Sequence, residues 1–256
     1  MTGLTLGQIL ATFLTISVRL SGLLLFAPFF GSDVIPPRVK AGLVLAVSVL
    51  LFPLLSPTLA HRDLGAWPGF VMTELLIGAG LGIATRLVFD AMQMAGQVLS
   101  TQMGFSLINI LDPQTQVDST VMALFHQTIT TLIFLRLDVH LWLLRALGRS
   151  YLLLPPGSAH LSEIFTLTAV RACGQVFTLG VQIAAPVLSA TFLADIVLGL
   201  LGKASPQMPL MLLGTPLKTL LGLSLLFFAL KYWPGMLERF FLGSMELSNR
   251  LLLEAR

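Results

Sequence analysis

Residues 69–102 read GFVMTELLIGAGLGIATRLVFDAMQMAGQVLSTQ, and residues 103–120 continue as MGFSLINILDPQTQVDST. The first segment has no proline and is apolar enough to be one long membrane helix. Gly78, Gly80 and Gly82 enrich its first half, and Gly78 with Gly82 makes a G-x-x-x-G spacing that lets a second helix approach closely. In its second half, at about 100° per residue, Arg86, Asp90, Gln93, Gln97 and Thr101 fall on one narrow face. A polar stripe on a greasy helix needs water or a partner, because an unpaired polar group in hydrocarbon costs several kcal/mol. The stripe therefore lines either a substrate path or a subunit seam. The second segment is too long for an ordinary connection between helices, and loops of this length tend to be functional or disordered. It runs from Gly104 through the apolar stretch Phe105, Ser106, Leu107, Ile108, Asn109, Ile110 and Leu111 to a turn at Asp112-Pro113. Two readings stand. It is an interfacial turn dipping into headgroups, or a flexible apolar constriction of the kind that gates water by dewetting, hinged at Gly104.

The rest of the chain agrees with a membrane setting. Of 256 residues, 55% are hydrophobic and 11% charged, and the mean hydropathy is +0.90. Soluble domains carry about 25% charged residues, so the chain is an integral membrane protein or one buried almost wholly among greasy partners, and its apolar runs, prolines and turns read as an all-α membrane fold of long, kinked helices and hairpins. The net charge of +3 is small and dispersed, which argues against a nucleic-acid partner. A single cysteine, Cys173, excludes an internal disulfide framework. The N-terminal MTGLTLGQILATFL lacks a basic n-region and a cleavage pattern, and reads as the start of a retained helix.

Apolar runs cover Leu4 to Phe30 and Ala41 to Leu59, separated by the tandem Pro36-Pro37 that stops helices. Val121 to Leu135 is apolar apart from His126 and Gln127. The segment after it carries Arg136, Asp138, His140, Arg145 and Arg149 among leucines and Trp142, and reads as an interfacial helix where arginine snorkels. Pro155-Pro156-Gly157 ends it. From about Ser162 the chain forms a helical hairpin. Its first arm places Arg171, Gln175, Thr178 and Gln182 on one face, is kinked or broken at Pro186, and continues to Leu201. A turn over Gly202 to Gln207 leads to a return arm, Leu210 to Leu230. The tail from Met236 alternates charge with Leu and Phe at helical spacing, as an amphipathic surface or partner-binding helix does.

Charges inside greasy helices are the sharpest features. Arg86 and Asp90, one turn apart, are placed to neutralise each other. Arg19, Glu74 and Lys218 have no evident local counter-ion, and Asp195 has only Lys203, two turns on. These charges point to contacts from other chains, with Arg171, Gln175, Thr178, Gln182, Asp195, Lys203 and Lys218 as candidate subunit contacts. Catalytic and nucleotide motifs are absent, and His61, His126, His140 and His160 lack metal-ligand spacing. No enzyme, cofactor or metal site is expected.

Four separated blocks resemble the FliR family of the bacterial flagellar type III export apparatus: RLSGLLLFAPFFGSDVIPPRVKAGLVLA (Arg19 to Ala46), QMGFSLINILDPQTQVDS (Gln102 to Ser119), LDVHLWLLRAL (Leu137 to Leu147) with LPPG (Leu154 to Gly157), and ASPQMPLMLLGTPLKTLLGL (Ala204 to Leu223). The likeness covers nearly the whole chain in order. It implies a non-enzymatic structural and gating subunit in the inner membrane, at the flagellar basal body, passing unfolded flagellar proteins. It implies FliP-like and FliQ-like partners in an export gate and association with an FlhB-like subunit, with lipid around them. It also implies a FliP-like part over residues 1–160, with the central loop at 103–119, followed by a FliQ-like hairpin over 161–256. The loop Gly104 to Leu111 takes the place of the family's channel plug. Virulence-type secretion subunits are the nearest alternative. A small-solute or ion transporter is more distant, since the sequence has no internal repeat of the kind such folds use.

Overall fold

A computed structural model describes residues 6–31, 35–59, 67–105, 120–158, 162–204 and 210–255. Among them lie eight α-helices and no strand: α1 (Leu6–Phe26), α2 (Pro37–Leu59), α3 (Trp67–Gln102), α4 (Val121–Arg136), α5 (Val139–Leu153), α6 (Glu163–Ala204), α7 (Leu210–Leu230) and α8 (Trp233–Glu254). Four of them contain apolar segments long enough to cross a bilayer: Leu6–Phe26, Pro37–Ser56, Gly69–Gln102 and Glu163–Ala204. A fifth span is made if α7 and α8, bent by 67° at their junction, act as one. The protein is an all-α integral membrane protein. Pro186 does not end α6, which runs on to Ala204. In a membrane helix, neighbouring groups re-satisfy the carbonyl that a proline leaves free.

The helices form two compact units that do not follow chain order. One comprises Met1–Leu87, Leu137–Cys173 and Phe241–Arg256, and the other Val88–Arg136 and Gly174–Phe240. Helices α3, α6 and α8 each contribute to both.

In the first unit, α1 crosses α3 backbone against backbone. A Cβ on Gly78 would overlap the Arg19 carbonyl oxygen, and one on Gly82 would lie 2.7 Å from the Leu23 carbonyl oxygen. The G-x-x-x-G spacing does what its geometry allows, and Gly22 completes the crossing from the α1 side against Leu75. Gly80, on another face, would meet nothing within 4 Å.

Arg19 is fully buried in this unit and is not left for another chain. Its Nε donates to Glu74 Oε2 at 2.7 Å, Nη1 donates to Ser150 Oγ at 2.9 Å and Nη2 donates to the Leu154 carbonyl at 3.1 Å. The guanidinium carbon lies 4.1 Å from the centre of the Tyr151 ring, a cation–π distance. Glu74 Oε1 accepts from the Gly157 amide at 3.3 Å. Burial pushes the Tyr151 phenol well above its ordinary range, against the opposing pull of the Arg19 charge, so the ring stays neutral. The expectation that Arg19 and Glu74 await partners from elsewhere is thus corrected: they are each other's partner. Helix α5 buries Val139, Leu143, Leu147 and Tyr151 and turns Arg145 and Arg149 outward.

Ser162 caps α6, its Oγ accepting from the Phe165 amide at 3.1 Å. It also donates to the Glu254 carbonyl at 2.8 Å, which ties the start of α6 to the end of α8. Helix α8 is amphipathic along its whole length. Leu237, Phe241, Ser244, Ser248 and Leu251 recur at spacings of three and four and are buried in the chain, while Glu246 and Arg250 pair on the exposed face at 2.8 Å.

In the second unit Gly96 lies against the Met122–Ala123 backbone of α4, Gly180 lies against Ala91 and Met94 of α3, and Phe89 meets Phe134 edge-on.

Candidate functional site

The long central loop leaves α3 through a well-defined stop. The Gly104 amide donates to the Thr101 carbonyl at 3.2 Å and the Phe105 amide to the Ser100 carbonyl at 2.9 Å. Gly104 has φ +86°. This is the Schellman pattern, with glycine as the left-handed residue just past the helix end. Gly104 therefore acts as a cap that aims the chain, where the sequence alone suggested a hinge. Phe105 follows it, half-buried. Ser106, Leu107, Ile108, Asn109, Ile110 and Leu111, with Asp112-Pro113, lie outside the described residues.

That cap is seated on α7 and α6. Thr215, Lys218, Thr219 and Gly222 occupy positions i, i+3, i+4 and i+7 of α7, which form one face. The fully buried Met103 side chain packs on Gly222, where a Cβ would come within 2.8 Å of its Cγ, Sδ and Cε atoms. A Cβ on Gly104 would lie 2.5 Å from Thr215 Cγ2. The Thr219 hydroxyl lies 2.7 Å from the Met103 carbonyl and 2.9 Å from the Thr215 carbonyl, within donating reach of both. One turn away, Asp195 of α6 accepts from two directions. Lys218 Nζ donates to its Oδ1 at 2.8 Å and Gln102 Nε2 donates to its Oδ2 at 2.9 Å. The Lys218 and Asp195 side chains are 20% and 40% exposed.

Asp195 thus pairs with Lys218, across the hairpin, and Lys203 is exposed with no ion pair among the described residues. Two residues proposed as subunit contacts, Asp195 and Lys218, meet each other within the chain. Gln102, Met103, Thr215, Thr219 and Gly222 complete the arrangement and were not singled out from the sequence. Their signal was the i, i+3, i+4, i+7 recurrence of small and polar residues on α7, which is masked by the helix's overall apolarity.

The two polar stripes lie where helical periodicity puts them. On α3, Arg86, Gln97 and Thr101 are exposed and Asp90 and Gln93 half-exposed, while Ala84, Val88, Ala91, Met92, Ala95 and Leu99 are buried on the other side. On α6, Arg171, Gln175, Thr178 and Gln182 are all exposed, and Ala172, Ile183, Ala184 and Val187 are buried. Among the described residues both stripes face outward, Asp90 and Gln93 only in part. Among the described residues no group of His, Cys, Asp and Glu is placed to hold a metal ion.

These features define the class: a polytopic helical membrane protein in which the capped end of α3 is seated on α7 and two long helices carry outward polar faces. Residues 10–244 match the family of bacterial export proteins, family 1. Several curated relatives, each named flagellar biosynthetic protein FliR, match over most of their own length. That of Pectobacterium carotovorum subsp. carotovorum is 29% identical over 93% of this chain and 91% of its own. That of Caulobacter vibrioides is 30% identical over 81% and 84%, and that of Escherichia coli K12 is 29% identical over 82% and 80%. The chain belongs to the FliR family of bacterial export proteins.

Proposed function

We propose that this protein is a non-enzymatic structural and gating subunit of the flagellar type III protein export gate, in the bacterial inner membrane at the flagellar basal body. In this reading it joins FliP-like and FliQ-like chains around a channel for unfolded flagellar proteins, beside an FlhB-like subunit. Its first part, residues 1–160, is FliP-like and residues 161–256 are a FliQ-like hairpin. The loop from Gly104 to Leu111 closes the channel. The observation that carries the reading is the match of residues 10–244 to the bacterial export proteins, family 1, and the Schellman cap at Gly104, seated on α7, gives the loop an anchored root. Functional loops are positioned by a rigid scaffold, and the seated end of α3 supplies one at this loop's root. The stripes on α3 and α6 support it as well. Exposed polar rows on membrane helices need water or neighbouring subunits, and an oligomeric conduit supplies both.

Purification tests the assembly half of the proposal. Tagged protein extracted in mild detergent is expected to carry FliP-like and FliQ-like chains with it and to lose stability when expressed alone. A monodisperse chain, stable without partners, would contradict it.

A further inference from the structure

We propose that Asp195, Lys218, Gln102 and Thr219 form a latch, and that the α6–α7 hairpin uses it to set where the loop beginning at Met103 is held. The inference rests on the reading of that loop as a channel plug, and it names what positions the plug. Three contacts converge on three consecutive residues at the loop root, Gln102, Met103 and Gly104. Asp195 holds the Gln102 side chain, Thr219 holds the Met103 carbonyl, and Thr215 packs against Gly104. The Schellman bonds then transmit that position to Phe105, the first apolar residue of the loop.

The contacts differ in kind from a fixed structural pair. Arg19 and Glu74 are 0% exposed, and breaking such a pair strands a charge. Asp195 and Lys218 are 40% and 20% exposed, so each charge keeps some water when the pair opens. The Asp195 carboxylate serves two donors from two helices. A shift of α7 that draws Lys218 away also changes what holds Gln102. Lys218 and Thr219 are adjacent on α7, so both halves of the latch respond to the same movement of that helix. Asp195, Lys218, Gln102 and Thr219 are positioning residues. Closure itself is the work of the loop.

The test uses the assembled complex with two readouts: amide hydrogen exchange over residues 99–105, and leak of small ions across the membrane. The variants are Asp195→Asn, Thr219→Val and the exchange of charges Asp195→Lys with Lys218→Asp. In the exchanged pair the Gln102 amide oxygen can accept from the lysine. Loss of a charge-assisted hydrogen bond is expected to raise local opening at Gly104 and Phe105 about tenfold. Exchange in the α6 and α7 backbones should stay as it was, leak should appear, and the charge exchange should restore both readouts. Thr219→Val keeps the ion pair and nearly the same shape, so it tests the latch even where Asp195→Asn fails to assemble. Unchanged exchange at residues 99–105 in Thr219→Val overturns the proposal, as does failure of both single variants to assemble. Faster exchange without leak upholds the latch and overturns the plug reading on which its purpose rests.

Discussion

Arg19 and Glu74 lie 55 positions apart in sequence and 2.7 Å apart in the fold, both completely buried. Each is the counter-ion that the other needs, and Ser150, Tyr151, Leu154 and Gly157 supply the surrounding contacts. Replacing one member leaves an uncompensated charge in a fully buried site. Arg19→Leu or Glu74→Leu is expected to cost about 3–5 kcal/mol, read as a fall in the thermal midpoint of the purified complex. The double replacement should cost clearly less than the sum. Additive losses would show that the two charges are stabilised separately.

The glycines of α3 separate by face. Gly78→Ala forces a Cβ onto the Arg19 carbonyl and should push α1 away, at about 1–3 kcal/mol or more. Gly80→Ala enters open space and exchanges a poor helix former for the best, so it should stabilise by about 0.5–1 kcal/mol. Thermal midpoints of the two variants, measured side by side, check this. Equal effects would contradict the crossing described here.

Gly104→Ala meets two penalties. The left-handed backbone costs an L-residue about 1–2 kcal/mol, and the new methyl collides with Thr215 Cγ2. Adding Thr215→Ser removes the collision and keeps the backbone cost, so the double variant should recover part of the loss in stability and no more. Full recovery would mean that φ at this position is unstrained.

These cases also show how far the sequence could be read. The Gly78 and Gly82 spacing was legible because helical period alone puts both on one face. The Arg19–Glu74 pair was not, because nothing local joins positions 19 and 74. Asp195 was matched with Lys203 by proximity along the chain, yet an antiparallel arm brings Lys218 closer than two turns of the same helix can. Pro186 suggested a kink or break in a helix that continues beyond it, and of these the break is absent: α6 runs unbroken through Pro186 to Ala204, as membrane helices allow. Thr215, Thr219 and Gly222 drew no notice within one of the most apolar helices of the chain. Their role appears only once the end of α3 is laid against them.

The exposed stripe on α6 bears on assembly. Arg171 is exposed and has no ion pair among the described residues. If that face is a subunit contact, Arg171→Glu should lower the yield of intact complex severalfold while leaving the chain itself membrane-inserted, as judged by protease protection. A normal yield would show that the arginine merely reaches headgroups.

The central claim is that the loop from Gly104 to Leu111 closes a conduit. The direct measurement is small-ion permeability of membranes that contain the assembled complex, with residues 105–111 deleted or replaced by polar residues. The account predicts a complex that assembles at normal yield and leaks. An assembled variant with the permeability of the parent complex would contradict it.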